Sequence, residues 1–296
     1  MFSDEKKVEI FKQHRPRLFG IAYRMLGTHA ESEDILQEAY LKWHEANAGE
    51  IENAEAWLVT IVTRLSIDRL RKASRERETY IGPWLPEPLI ISSAPTPEEN
   101  LELASNLSLA FMVLLERLSP LERAAFLLHD IFDCGYTDIA RIVGKTETAS
   151  RQIVSRARMR VRTDKPRFEP SEKERRELIK KFSVASQTGD EKTLLALFAE
   201  EVSLTSDGGG KVTAARKILH GKGKIAHALA MFGAKYGTQF KHEFCRINGE
   251  PGLLTFVEGK VFDATTFEFE DGKITAVYRV MNPDKLKNLM ELRTEN

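Results

Sequence analysis

Cysteine is nearly missing from this chain of 296 residues: Cys134 and Cys245 stand alone, and no cluster has metal-ligand spacing. That argues against a disulfide framework or a structural zinc site and fits a reducing compartment. Net charge is missing too, because 44 Lys and Arg balance 44 Asp and Glu. Bulk composition therefore gives no sign of a nucleic-acid partner. No apolar run approaches the roughly 18 residues that a membrane helix needs. The opening MFSDEKKVEI is charged where a signal peptide would carry an apolar core. The expectation is a soluble, cytoplasmic protein without metal or cofactor, long enough for about two domains.

The charge balance breaks down locally. From Arg141 to Lys165, eight basic residues meet only Glu147 and Asp164, an electrostatic footprint suited to an anionic partner. Within that stretch DIARIV (138–143) reads as a short helix, Gly144 as a turn residue and Thr146 as the N-cap of a second helix. In the second helix Ala149, Ile153, Val154, Ala157 and Val161 recur at spacings of three and four, predicting a buried stripe. Thr148, Arg151, Gln152, Ser155, Arg156 and Arg158 lie off it. This pattern suits a helix that reads base edges and contacts phosphates from the major groove. A solvated amphipathic helix gives the same periodicity.

Upstream, residues 6–77 read as three amphipathic helices that should pack as a bundle. The first carries Phe11, Leu18, Ile21 and Met25 and ends at Gly27; the second opens at Thr28 or His29 and buries Ile35, Leu36, Ala39, Tyr40 and Trp43. The third, from Ala54, repeats Leu58, Ile61, Val62, Leu65 and Ile67. A proline-rich segment, YIGPWLPEPLIISSAPTPEENLE, follows and favours an extended path. Its Trp84 and Leu85 are unusual for a polar spacer; they fit a docked segment or one that only covers an apolar patch. Further helices are predicted from Pro97, with Ser119-Pro120 as a cap and first-turn pair.

Beyond residue 165 the pattern changes. Helices are expected at 171–188, over EKTLLALFAE (191–200) and over 221–237, and strands at EVSLTS, FKHEFCRI, GLLTFVEG, KVFDATTFEFE and KITAVYRVM. Helices followed by an antiparallel sheet make an α+β domain. DGGGK at 207–211 has no P-loop pattern and reads as a close-approach or hairpin loop, while Asn282-Pro283 signals a helix start. Among His220, His227, His242 and Asp263 no paired spacing marks a general base, so catalysis is not expected.

EDILQEAYLKW followed by AWLVTIVTRLSIDRLR resembles region 2 of the extracytoplasmic-function sigma factors, and LSPLERAAFLLHDIFDCGYTDIARIVGKTETASRQIVSRARMRVR resembles their region 4. WLPEP, DGGGK and NPDKL resemble the motifs of the class that carries a fused SnoaL-like (NTF2-like) domain. The resemblance implies two all-α helical domains followed by an α+β cone: region 2 at 1–77, a linker at 78–97, region 4 at 98–165 and a SnoaL-like regulatory domain at 166–296. It implies that Asp34, Gln37 and Glu38 contact core RNA polymerase. Asn53, Trp57, Arg64, Asp68 and Arg71 would then serve the −10 element, although Arg64 stands where many relatives have Asn. The exposed residues of the recognition helix, from Thr148 to Arg158, would serve the −35 element. Trp84, Leu85, Pro86, Asp207, Gly208, Gly209, Gly210, Lys211, Asn282, Pro283 and Asp284 would form a regulatory contact that replaces a separate anti-sigma factor. A small ligand in the cone, or residual enzymatic activity, is the alternative role for that domain.

Overall fold

The computed structural model describes residues 4–47, 51–90, 107–161 and 170–291. The chain divides into two compact units. The first holds both helical blocks apart from Ser108–Ala110, and the second holds those three residues, the segment 80–93 and the C-terminal residues.

In the first unit α1 (Asp4–Leu26), α2 (His29–Glu45) and α3 (Ala54–Arg77) are the three predicted helices. Their apolar faces meet around Leu18, Ile21, Met25, Leu36, Trp43, Leu58 and Val62. Tyr40 stays half-buried against Phe11, with ring centroids 5.1 Å apart. Region 107–161 adds α4 (Leu109–Leu115), α5 (Pro120–Asp130), α6 (Tyr136–Val143) and α7 (Glu147–Val161). Ser119 and Glu122 close a reciprocal capping box at the start of α5. The helix start expected after Pro97 lies outside the described residues.

The two helical blocks pack as one body, and arginines tie them. Arg123 on α5 is 1% exposed. It donates to the carbonyls of Leu115 at 3.0 Å and Met25 at 2.8 Å and to Glu116 at 2.6 Å. Arg77 at the end of α3 bonds the same Glu116 and the carbonyl of Leu26. The last carbonyls of a helix have no partner within it, so these side chains satisfy the end of α1 from two other helices. Burial lowers the Arg123 pKa against the opposing pull of Glu116.

In the second unit α8 (Glu172–Thr188) starts at a Ser171–Glu174 capping box and stops at the left-handed Gly189. After it come α9 (Glu191–Leu197), β1 (Phe198–Asp207), β2 (Leu219–His220), α10 (Lys222–Tyr236), β3 (Phe240–Ile247), β4 (Glu250–Val257), β5 (Lys260–Glu270) and β6 (Lys273–Val280). A 3-10 turn at Pro283–Lys285 leads to α11 (Lys287–Glu291). The sheet order is β2-β1-β6-β5-β4-β3, antiparallel throughout except for the β1–β6 pair. Register shifts in β1, β4 and β5 bend it. Phe182, Leu194, Val202, Ile225, Leu229, Leu253, Phe267 and Val277 join the helices to one face in a single core. Two expectations are corrected here. Phe198 to Glu200 begin β1 rather than ending α9, and β2, only two residues long, is too short for alternation to register.

The space between sheet and helices is almost filled. Phe182, Leu229, Phe232 and Phe240 leave a cavity of about 30 Å³ beside His242, Asp263 and Arg279, room for a water or two rather than a substrate. Asp263 accepts from Thr255 at 3.1 Å, Thr265 at 2.8 Å and Arg279 at 2.5 Å. Burial holds the His242 imidazole below its ordinary range, with Asp263 pulling the other way and Arg279 adding to the depression. A histidine with a depressed folded pKa contributes stability that is present above its unfolded value near 6.5 and lost as pH falls through the folded value. We therefore expect the melting temperature of the wild type to fall more steeply between about pH 7 and pH 5 than that of His242→Gln. Parallel curves in calorimetry would contradict this assignment.

Candidate functional site

α6, Gly144 and α7 form a helix-turn-helix as expected. Gly144 adopts the left-handed conformation, φ 66° and ψ 42°, where a Cβ would be strained. The Thr146 hydroxyl accepts from the Ala149 amide at 3.2 Å. The buried stripe is Ser150, Val154 and Ala157, with Ala149 and Ile153 half-buried. Ser150 enters it because its hydroxyl bonds the Thr146 carbonyl at 3.0 Å, which satisfies a polar group at no cost in packing.

Thr148, Arg151, Gln152, Ser155, Arg156 and Arg158 are all exposed on α7. Arg151 bonds Glu147 at 2.6 Å and stacks 4.2 Å over the Tyr136 ring. Its hydrogen bond, then that of Thr137, holds the Glu147 carboxyl below the usual range. Arg158 is committed to Asp130 of α5 through both carboxylate oxygens, at 2.9 and 3.1 Å. The side chains of Thr148, Gln152, Ser155 and Arg156 make no hydrogen bond to another described residue and face solvent, with Arg156 near enough to Glu122 to help hold its carboxyl below the usual range.

On α3 the residues Trp57, Arg64, Asp68 and Arg71 fall on one face at helical spacing, with Asn53 preceding them at the N-cap. Asn53 accepts from the Ala56 amide at 2.9 Å and so has a structural job. Trp57 is half-buried, its ring 5.6 Å from that of the buried Trp43. Asp68 and Arg71 pair with each other at 2.9 Å. Arg64 reaches across to the helix-turn-helix, donating to the carbonyls of Ile142 at 3.0 Å and Arg141 at 2.8 Å at the end of α6. Arg64 thus ties the α3 face to the end of α6, while Asp68 and Arg71 stay exposed. Asp34, Gln37 and Glu38 form an exposed polar patch on α2.

The most elaborated constellation lies in the second unit. Asp207 ends β1 with none of its surface exposed. Its Oδ1 accepts from the Tyr80 hydroxyl at 2.5 Å and the Gly209 amide at 3.1 Å. Its Oδ2 accepts from the Leu85 amide at 2.8 Å and the Lys285 ammonium at 2.7 Å. Lys285 also donates to the Leu85 carbonyl and sits 4.2 Å from the Trp84 ring centroid and 5.1 Å from that of Tyr80. Asn282 caps the 3-10 turn at Asp284 and donates to the Tyr80 hydroxyl at 2.9 Å. Burial first, then the hydrogen bond to Asp207, pushes the Tyr80 phenol well above its ordinary range.

The surrounding residues finish the clamp. Leu85, Pro86, Glu87 and Pro88 are buried, and Glu87 accepts from Asn288 at 2.6 Å. Leu89 exchanges two hydrogen bonds with Asn248, and Ile90 bridges Ile247. Lys211 pairs with Asp284, and hydrogen bonds from Lys211 and then Lys287 hold that carboxyl below its usual range. Gly209 and Gly210 have φ of +58° and +71°. A Cβ on Gly209 would lie 2.3 Å from Asn282 Nδ2, and one on Gly210 would lie 2.8 Å from Ile81 Cδ1. Gly208 is similarly tight against Ala214, at 2.8 Å. DGGGK is therefore the bed of the linker, not a free hairpin.

WLPEP, DGGGK and NPDKL thus meet, with Pro283 opening the 3-10 turn that presents Lys285. Tyr80, Glu87, Asn248, Lys285 and Asn288 were missed in the sequence. Lys285 and Glu87 had a visible signal, as charged residues inside NPDKL and WLPEP; the other three carry none.

Sigma-70 region 2 matches residues 10–76, and Sigma-70 region 4 matches 108–161. The ECF RNA polymerase sigma factor SigJ of Mycobacterium tuberculosis is 36% identical over 291 residues, covering 94% of this chain and 93% of that protein. The probable ECF RNA polymerase sigma factor SigI of the same organism is 28% identical over 282 residues, covering 94% of each. The crystal structure of SigJ aligns with a TM-score of 0.74 at 33% identity, covering 94% of this chain and 98% of the other. The chain belongs to the ECF RNA polymerase sigma factors, non-enzymatic initiation factors that bind core RNA polymerase and promoter DNA.

Proposed function

We propose that this sigma factor is regulated in cis by the clamp between its linker and its C-terminal domain, without a separate anti-sigma factor, in the cytoplasm. The observation that carries the reading is the buried Asp207, whose four hydrogen bonds include two to linker residues and one to Lys285. Clamping residues 80–90 shortens the free tether between the blocks at 1–77 and 98–165, and tether length sets how two tethered binding modules engage together. Residues 166–296 are then the regulatory domain and 78–97 the linker it grips.

On this reading Asp34, Gln37 and Glu38 meet the polymerase, while Trp57, Arg64, Asp68 and Arg71 serve the −10 element, with Asn53 positioning their helix. Thr148, Arg151, Gln152, Ser155 and Arg156 read the −35 element, and Arg158 braces α7 through Asp130. Arg64 supports a closed resting state, because its guanidinium is spent on the α6 carbonyls. Two promoter elements separated by a spacer cannot both be met by blocks packed side by side, so promoter binding entails release of Arg64.

Run-off transcription with purified core polymerase tests the reading. A chain ending near residue 165, and the full chain carrying Gly209→Ala, should both differ from wild type by several-fold. Unaltered activity and polymerase binding in every truncation from residue 166 onward would remove the regulatory role. For DNA reading, Arg151→Ala should weaken specific promoter binding by about 1–3 kcal/mol and leave random DNA nearly unchanged. Equal weakening on both would move Arg151 to a phosphate contact.

A further inference from the structure

A second feature lies beside the clamp and shares Ile81, Gly208, Gly210 and Lys211 with it. Ile81 and Gly82 of the linker, Ser206 at the end of β1, Gly208 and the loop from Gly210 to Arg216 line an open cleft of about 380 Å³. That volume lies within the range of small-molecule sites, roughly 300–1,000 Å³, and is far larger than the space left inside the cone. We propose that it binds a small molecule bearing a phosphate group.

The donors supply the argument. Arg216 is exposed on the cavity wall and has no ion pair or hydrogen bond among the described residues. Ser206 is 5% exposed, lines the cavity, and its hydroxyl has no hydrogen-bond partner among the described residues. Solvent reaches that oxygen through the cavity, which leaves it free to bond an occupant. The amides of Gly210 and of Thr213 to Arg216 likewise donate to no described acceptor, whereas those of Lys211 and Val212 both turn to the Gly208 carbonyl. The Gly209 amide is spent on Asp207 Oδ1 and the Lys211 amide on the Gly208 carbonyl, so the free backbone donors of the loop are those of Gly210 and of Thr213 to Arg216.

Charge points the same way. Between Gly208 and Lys224 the chain has Lys211, Arg216, Lys217, Lys222 and Lys224 and no acidic residue. Of these only Lys211 and Arg216 line the cavity, and Lys211 is taken by Asp284, which leaves Arg216 as the cation for the ligand. A guanidinium with amides and hydroxyls around it matches the several acceptor oxygens of a phosphate better than the two of a carboxylate. Ile81, Val212, Ala214 and Ala215 supply an apolar wall for the rest of the molecule. Because Ile81 and Gly82 belong to the linker, an occupant touches both the loop and the segment it grips.

Binding can be measured on the full chain whether or not the clamp regulates transcription. Inorganic phosphate, pyrophosphate and AMP are titrated against chloride at matched ionic strength, with thermal melting and calorimetry as readouts. At least one phosphate probe should raise the melting temperature saturably. Arg216→Ala should then weaken it about tenfold, as expected for the loss of a charge-assisted contact, and Ser206→Ala by a smaller factor. The unliganded melting temperature of Arg216→Ala should match wild type, since that side chain holds nothing in the fold. No saturable response to any of the three probes would overturn the proposal. So would an equal response to chloride, or full retention in Arg216→Ala. Saturation by duplex DNA alone would also overturn it and make the surface a nucleic-acid contact.

Discussion

A carboxylate with no exposed surface is a liability unless every lone pair is used, and the second unit is arranged around meeting that demand at Asp207. Four donors converge on it, from a tyrosine, a glycine amide, a linker amide and a buried lysine. The lysine in turn needs partners, which it finds in the Leu85 carbonyl and the faces of Trp84 and Tyr80. Removing one member of such a buried pair leaves the other charge uncompensated, typically at a cost of about 3–5 kcal/mol. Each of the three motifs follows from this requirement: glycines to let the linker close in, prolines to present its backbone extended, and an Asn-Pro turn to deliver the lysine.

The helical unit solves a related problem with arginine. Helix ends leave carbonyls unpaired, and Arg77, Arg123 and Arg64 satisfy those at the ends of α1, α4 and α6 from other helices. These contacts differ in burial. Arg123 is sealed inside, as a permanent strut should be, while Arg64 sits at the surface, where its bonds compete with water. That contrast fits the proposed closed resting state, in which Arg64 is the contact that gives way.

Much of this was legible in the sequence because it depends on local rules. Helical periodicity, the Ser119 cap, Gly144 and the alternation of β3, β5 and β6 follow from neighbours in the chain. The convergence of WLPEP, DGGGK and NPDKL was suggested by resemblance alone. No local rule places Tyr80 beside Asp207, 127 positions away. Nor could periodicity reveal that Arg158 braces α5 or that Arg64 turns toward α6, because long side chains choose partners only after the helices have packed. The predicted bounds match the observed strand for β3 and β5; β4 starts two residues before the predicted GLLTFVEG and ends two before its end, and β1 starts early at Phe198, where a bulge interrupts its pairing.

The clamp makes one amide diagnostic. Leu85 lies in a proline-rich segment that would exchange its amide hydrogens freely as a solvated spacer, yet its N–H points at Asp207 from a fully buried side chain. Hydrogen exchange across residues 80–90 of the full chain tests this directly. The account predicts strong protection at Leu85 in the wild type, and its loss together with that of Leu89 in Lys285→Met. Exchange at Leu85 as fast as in an unstructured peptide, in the folded wild-type protein, would contradict it.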